Sequence, residues 1–237
     1  MPVNEFNQVV AEPIPKWEPR PNPGNVTIKG KFCTIVPLDL EKHSPELFEA
    51  YQLEKDDSMW TFLAFGPYKN VDEFKESFDH RINTTGETHF AIIDNKVNKP
   101  VGQYCLRRCD AANGVVEVGC VIYSPLLKRS RTATEAHYLL AKYVFETLQY
   151  RRYEWQCNSL NKASHNAAVR MGFQFEGVHR QICVVKGRNR DTNWLSMLDH
   201  EWDLCKRAFQ AWLDDSNFDA DGTQLQRLQD IRASLST

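Results

Sequence analysis

The second half of the chain carries a strand–helix–strand succession that restricts its folding more than any other feature. Residues 115–123, VVEVGCVIY, form a strand-length apolar run behind an Asn113-Gly114 turn. Residues 134–148 follow at helical period, with Ala136, Leu139, Leu140, Tyr143, Val144 and Leu148 on one stripe. Glu135 stands in the first turn, where negative charge suits the helix dipole. Residues 153–157 then form another short strand. A helix of this length leaves one sheet edge and returns to it by a right-handed crossover, so the two strands are expected to lie parallel and adjacent.

Periodicity and punctuation extend the pattern on both sides. Before the crossover they predict strands over 26–36, 89–93 and 101–107 and helices over 41–53 and 71–82. Val71, Phe74, Phe78 and Ile82 share one face of the second helix. After the crossover come a short helix over 163–171 and strands over 175–185 and 194–198. Gly172 takes the C-terminal cap of that helix. Helices over 201–213 and 223–234 complete the chain. The fold class is α/β (α+β): a mixed, mostly antiparallel twisted sheet with one parallel pair, flanked by helices. Residues 1–24 are broken by Pro13, Pro15, Pro21 and Pro23, which exclude a helix or central strand and leave an extended arm that Trp17 can pin. The domain reading is thus an arm over 1–24, a main domain over 25–200 and C-terminal helices over 201–237 packed on it.

Composition narrows the function. At 42% hydrophobic and 25% charged residues the 237-residue chain is not a disordered one. Its apolar runs, such as Phe90–Ile93, are far shorter than the roughly 20 residues of a membrane span. Its 29 basic residues against 31 acidic ones disfavour nucleic acid as a partner. Seven scattered cysteines without a CxxC pair predict reduced thiols and no metal site. The N-terminus lacks a secretory pattern, so a cytoplasmic protein is expected.

Chemistry concentrates at two helix starts. The first, residues 123–136, places Lys128, Arg129 and Arg131 with Ser130, Thr132 and Thr134 before the long helix, whose N-terminus favours phosphate. The alternative is a solvated basic loop with an ordinary cap. The second, residues 158–173, puts Asn161 at a cap and Ser164 in the first turn. Because the strands feeding them are expected to be parallel neighbours, both helix starts open at one end of the sheet, where ligands bind in α/β folds.

Read together, Arg129-Ser-Arg-Thr-Ala-Thr-Glu-Ala136 and Asn161-x-x-Ser164-x-x-Ala167-Ala168-x-x-x-Gly172-Phe173-x-x-Glu176-Gly177 resemble the GNAT superfamily of acyl-CoA-dependent N-acyltransferases. The chain is most similar to the RimJ/RimL-like branch, with Glu117-Val-Gly119 matching its strand before the phosphate loop. Lys186–Thr192 and Trp194 further resemble a bacterial and fungal subgroup, and the likeness spans residues 25–200. The resemblance implies a bulged, splayed sheet holding acetyl-CoA as acyl donor, with no metal. Val121, Ile122 and Tyr123 would pair with the pantetheine arm. Backbone N–H groups of Arg129, Ser130, Arg131, Thr132, Ala133 and Thr134 would cradle the pyrophosphate. Asn161 would bind the pantetheine, and Ser164 would lie by the sulfur. One departure stands out: Arg129 and Arg131 occupy positions where the family often has glycine, which permits positive φ, whereas arginine offers guanidinium contacts.

The implied activity is transfer of an acetyl group to a primary amine of a small molecule or protein N-terminus, by direct attack in a ternary complex. The alternative is a non-catalytic acyl-CoA-binding module, and monomer and homodimer both remain open. Transfer needs a base for the amine and a donor for the leaving thiolate. Glu117 is the candidate base, its alternative being an ion pair with Arg107. Ser164 is the candidate donor, its alternative being a cap. Asp57 and Trp60 are candidates to hold a cationic amine, and Tyr104 to line the crevice. Cys157 and His89 are expected to be structural.

Overall fold

A computed structural model describes residues 1–236. Eight strands form a single sheet: β1 (Ile28–Lys29), β2 (Cys33–Pro37), β3 (Thr88–Asp94), β4 (Lys99–Asp110), β5 (Val115–Tyr123), β6 (Arg152–Asn158), β7 (Gln174–Val185) and β8 (Arg188–Leu198). Their order is β1-β2-β3-β4-β5-β6-β8-β7, and β5/β6 is the parallel pair predicted from the crossover. Six helices flank it: α1 (Leu40–Tyr51), α2 (Val71–Thr84), α3 (Arg131–Lys142), α4 (Lys162–Met171), α5 (Asp199–Leu213) and α6 (Leu228–Leu235). Among the described residues no helix is long and apolar enough to cross a membrane.

The principal core lies under α3 and α5 and includes Tyr104, Leu140, Val144, Tyr153, Trp202 and Phe209. A second, smaller core joins α1 and α2 through Leu47, Tyr51, Trp60, Phe74 and Phe78, packed against Ile122 of β5. The apolar faces seen in the sequence are thus the faces that pack.

The structure corrects four boundaries. The strand expected over 26–36 is a hairpin, β1 and β2, turning at Gly30 and Lys31. The buried carboxylate of Glu135 accepts from the backbone N–H groups of Lys31, Phe32 and Cys33 at 2.7, 2.6 and 2.8 Å and holds that turn. Glu135 therefore serves the turn rather than only its own helix dipole. A Cβ at Gly30 would stand 2.6 Å from this carboxyl, which is why the turn takes glycine. Helix α3 starts earlier than expected because Ser130 caps it, its Oγ accepting from Ala133 N at 3.0 Å. Its last turn, Tyr143–Thr147, is a π-turn. Residues 223–227 are not helical; Asn217 binds Gln226 there instead, and the helix begins at Leu228. The strand expected over 194–198 begins at Arg188, in a long hairpin with β7.

In the arm, Trp17 Nε1 donates to the carbonyl of Ala112 at 2.8 Å beside the Gly114 turn. All seven cysteines are free thiols.

Candidate active site

The functional cleft is opened by a failure of pairing. Strands β5 and β6 are in register only from Val115–Arg152 to Val118–Trp155. Beyond that they part, while β5 stays bonded to β4. From the Cys105–Gly119 pair to the Gln103–Ile122 pair, β5 uses one residue more than β4. This bulge bends β5, and Cys120 takes φ +48° within it. The backbone of Val121, Ile122 and Tyr123 is thereby left without a β6 partner along the cleft.

The cavity so formed has a volume of about 1040 Å³, at the upper end for small-molecule sites. Val121, Ile122, Tyr123, Arg129, Ser130, Arg131, Ala133, Thr134, Asn161, Ser164 and Glu117 all line it. Thr132, Asp57, Trp60 and Tyr104 do not. The Tyr104 hydroxyl is buried and donates to the carbonyl of Ala136 at 3.0 Å. Trp60 sits in an aromatic cluster, 5.2 Å from Tyr68 and 5.9 Å from Tyr51. Asp57 lies on an exposed single-turn helix capped by Asp56. Trp60 is thus part of the aromatic cluster, and Asp57 stands exposed outside the cavity.

At one end of the cleft stands the N-terminus of α3. Arg129, just before its cap, has φ +60°, the conformation that glycine would supply. Arg131 is held in the wall at this end: it donates to Leu213 O and Asp215, both at 2.8 Å, between the rings of Phe32 and Phe218. The expected guanidinium contact of Arg131 with phosphate is replaced by this clamp on the C-terminal segment. Arg170 of α4 takes up a place at the same end, donating to Thr134 Oγ1 at 3.1 Å over the Trp212 ring. Lys128 also lines the cleft and pairs with Glu54. Trp212, Phe218 and residues 222–224 close this side. Neither Arg170 nor that C-terminal wall was legible from sequence, since nothing local marks them.

In the middle, Asn161 caps α4 by accepting from Ser164 N at 3.1 Å. Trp155 Nε1 donates to Ser164 Oγ at 3.0 Å, which leaves the hydroxyl proton free for another acceptor. Burial pushes the Cys157 thiol up, while the neighbouring Ser164 hydroxyl and Arg190 pull the other way. A protonated thiol is a poor nucleophile. Buried His137, 5.1 Å from Trp155, is held down to about 3 by burial and by Arg170, so it is neutral.

At the far end lies Glu117, only 5% exposed. Burial raises it to about 7, against the pull of Arg107 and Arg108. Its Oε2 is 4.0 Å from Arg107 Nε and 3.5 Å from Arg108 Nε but has no hydrogen-bond partner. Next to it, the ligand-capable atoms of Glu87, His89, Cys105 and Cys120 lie within 4.8 Å of one another. Strand pairing, not sequence spacing, brings these four together. Glu87 accepts from or shares a proton with His89 Nε2 at 2.8 Å and faces Arg107 at 3.5 Å and Arg81 at 3.9 Å. Burial pushes its carboxyl up, but His89, Arg107 and Arg81 outweigh this and hold it below the ordinary range. The two guanidinium groups already supply the counter-charge that a cation would bring.

A splayed parallel pair, a bulged strand that β6 leaves open on one side and a helix N-terminus thus surround one long cleft. Residues 34–174 match the acetyltransferase (GNAT) domain family. A GCN5-related N-acetyltransferase from Brucella melitensis is 43% identical, covering 93% of this chain and 100% of its own, with a TM-score of 0.89. A GNAT-family acetyltransferase from Chromobacterium violaceum is 39% identical, covering 83% of this chain and 98% of its own, with a TM-score of 0.77. A spermidine N-acetyltransferase from Vibrio cholerae, solved with CoA and spermine, shares the fold at 18% identity and a TM-score of 0.57, over 73% of this chain and 99% of its own. No curated protein matches the sequence. The chain belongs to the GNAT acetyltransferase family, and its reaction is acyl transfer from acetyl-CoA.

Proposed function

We propose that the protein moves the acetyl group of acetyl-CoA directly onto a primary amine held in the same cleft, with Glu117 as base and Ser164 as donor to the departing sulfur. The observation that carries this reading is a buried carboxylate poised near neutrality in one cavity with a hydroxyl whose orientation Trp155 fixes. A base with a value near the working pH combines a useful ionised fraction with useful proton affinity.

Glu117 accepts a proton from the substrate ammonium, directly or through one water, and releases it to solvent after turnover. The nitrogen lone pair then forms the new bond to the thioester carbonyl carbon, and the carbon–sulfur bond breaks. Ser164 donates a hydrogen bond to the developing thiolate, which ends as the free thiol of CoA with the proton given up by nitrogen. The free backbone of Val121–Tyr123 and Asn161 would hold the pantetheine arm. The first turn of α3, with Arg129 and Arg170, would take the phosphates. Direct attack is favoured over a thiol-bound acyl step because burial keeps Cys157 protonated.

Within the family, we place the chain in the RimJ/RimL-like branch on the segments Arg129–Ala136 and Asn161–Gly177. Initial rates varied in both acetyl-CoA and amine test the mechanism. Intersecting double-reciprocal lines are expected; parallel lines would replace direct attack by a two-step route. Glu117→Gln should abolish most turnover while leaving the thermal shift produced by acetyl-CoA intact.

A further inference from the structure

The acceptor end of the cleft has the wrong sign for a polycation. The acidic pair Asp56 and Asp57 lies outside it. Its lining instead carries Arg81 of α2, Arg107 of β4 and Arg190 of β8 together with Glu117, under an apolar roof that includes Met59 and Phe65. Arg190 acts electrostatically on both Glu117 and Cys157, which places it beside the reacting centre. Counting the partners behind the wall, Arg108 faces Glu117 and Glu87 faces both Arg81 and Arg107. Glu154 also acts on Glu117, so four guanidinium groups face three carboxylates here, and one positive charge remains in excess with all three ionised.

The hydrogen-bond inventory points the same way. Arg107 Nε and Gln156 Nε2 are buried donors that make no hydrogen bond, although Arg107 Nε stands 3.5 Å from Glu87 and 4.0 Å from Glu117, and both residues line the cleft. Buried donors without partners are costly, and a ligand that accepts from them removes the cost. On the acceptor side, Glu117 offers the one lining carboxylate here, and catalysis would occupy it. A ligand rich in acceptor oxygens fits; one rich in ammonium groups does not.

Resting on the transfer reading above, we propose that the second substrate is an amine that itself carries an anionic group, a carboxylate or a phosphate, and that Arg81 and Arg107 with Arg190 bind that group while Glu117 faces the amine. Polyamines, the ligand class of the Vibrio cholerae neighbour, are excluded by the same charges. Charge of this sign also selects by attraction: an anion is drawn toward the arginines and leaves the amine as the part nearest Glu117.

Matched amine pairs test the proposal, with CoA release as the readout: L-tyrosine against tyramine, L-histidine against histamine, 4-aminobutyrate against its amide, O-phosphoethanolamine against ethanolamine, and spermidine alone. The carboxylate and phosphate arms separate the two anion sources. In at least one pair the anionic member should show a kcat/KM ten-fold or more above its partner. Arg81→Gln should collapse that ratio toward unity through KM, and Arg81→Lys should restore much of it, which a merely structural role for Arg81 would not do. Equal or better turnover of the members that lack the anionic group, or of spermidine, would leave the transfer reading standing and overturn this inference. So would a ratio that Arg81→Gln leaves unchanged. If acetyl-CoA stabilises the protein but no amine is acetylated, the transfer reading itself falls, and the acceptor class with it.

Discussion

Trp155 Nε1 donates to Ser164 Oγ at 3.0 Å across the gap between β6 and α4. This bond spans the place where β6 leaves β5, and it sets the direction in which the serine can donate. Ser164→Ala should therefore lower kcat by roughly 100- to 1000-fold, the scale of one lost donor to developing charge. Trp155→Phe should have a smaller effect in the same direction, with acetyl-CoA affinity little changed. Steady-state kinetics with isothermal titration of acetyl-CoA checks both; an unchanged kcat in Ser164→Ala removes the serine from the mechanism.

Glu117 gives a pH signature of defined sign. Its carboxyl is raised from 4.5 to about 7 by burial. The folded protein thus binds more protons than the unfolded chain between these values, and stability falls as pH rises through that window. Glu117→Gln should be the more stable protein above pH 7, by about 3 kcal/mol at most, with the difference vanishing near pH 4. The native kcat/KM should rise with an apparent pKa near 7, and the variant should lose roughly 100-fold or more. Urea titrations at pH 5 and 8 provide the comparison; a native protein equally stable at both relative to the variant contradicts the buried-carboxylate account.

Glu135 is a structural counterpart. Its carboxylate satisfies three backbone N–H groups at the β1–β2 turn. Glu135→Ala strands those donors in a buried site and should cost roughly 3 kcal/mol or more, since bonds to a charged acceptor are the strong ones. Glu135→Gln, which keeps one acceptor oxygen, should cost less. Chemical denaturation measures both, and equal losses would mean that packing rather than hydrogen bonding sets the cost.

Arg129 holds φ +60°. Arg129→Gly should stabilise the free protein by roughly 1 kcal/mol, the cost of a left-handed non-glycine residue. Acetyl-CoA affinity should fall with the lost guanidinium. Should affinity rise instead, close backbone approach outweighs the side chain, and the arginine is a tolerated substitution at a glycine position.

How much of this was legible follows from the range of each interaction. The crossover, the Asn161 cap, the Gly172 cap and the apolar stripe of α3 are all local, recorded within a few residues of where they act. The break between β1 and β2 was not legible because its cause, Glu135, lies more than a hundred residues away. The earlier start of α3 was open to reading, since Ser130 precedes Ala133 at capping distance, but three hydroxyl residues competed for the role. Tyr104 and Trp60 pack away from the cleft, into a bond with Ala136 and an aromatic cluster, and Asp57 stays exposed outside it, outcomes that no local pattern records.

By itself, then, the sequence determined the alternation of strands and helices, the parallel pair and the two helix starts at one end of it. Hydrophobic period, caps and turn chemistry act over a few residues and can be read along a line. Only the tertiary structure decided where β5 and β6 part, that Arg131 contacts the C-terminal segment, and that Arg81, Arg107 and Arg190 line one cleft with Glu117. Those outcomes depend on which distant groups share a buried space. There, desolvation and charge act over a few ångströms of distance and without regard to separation along the chain.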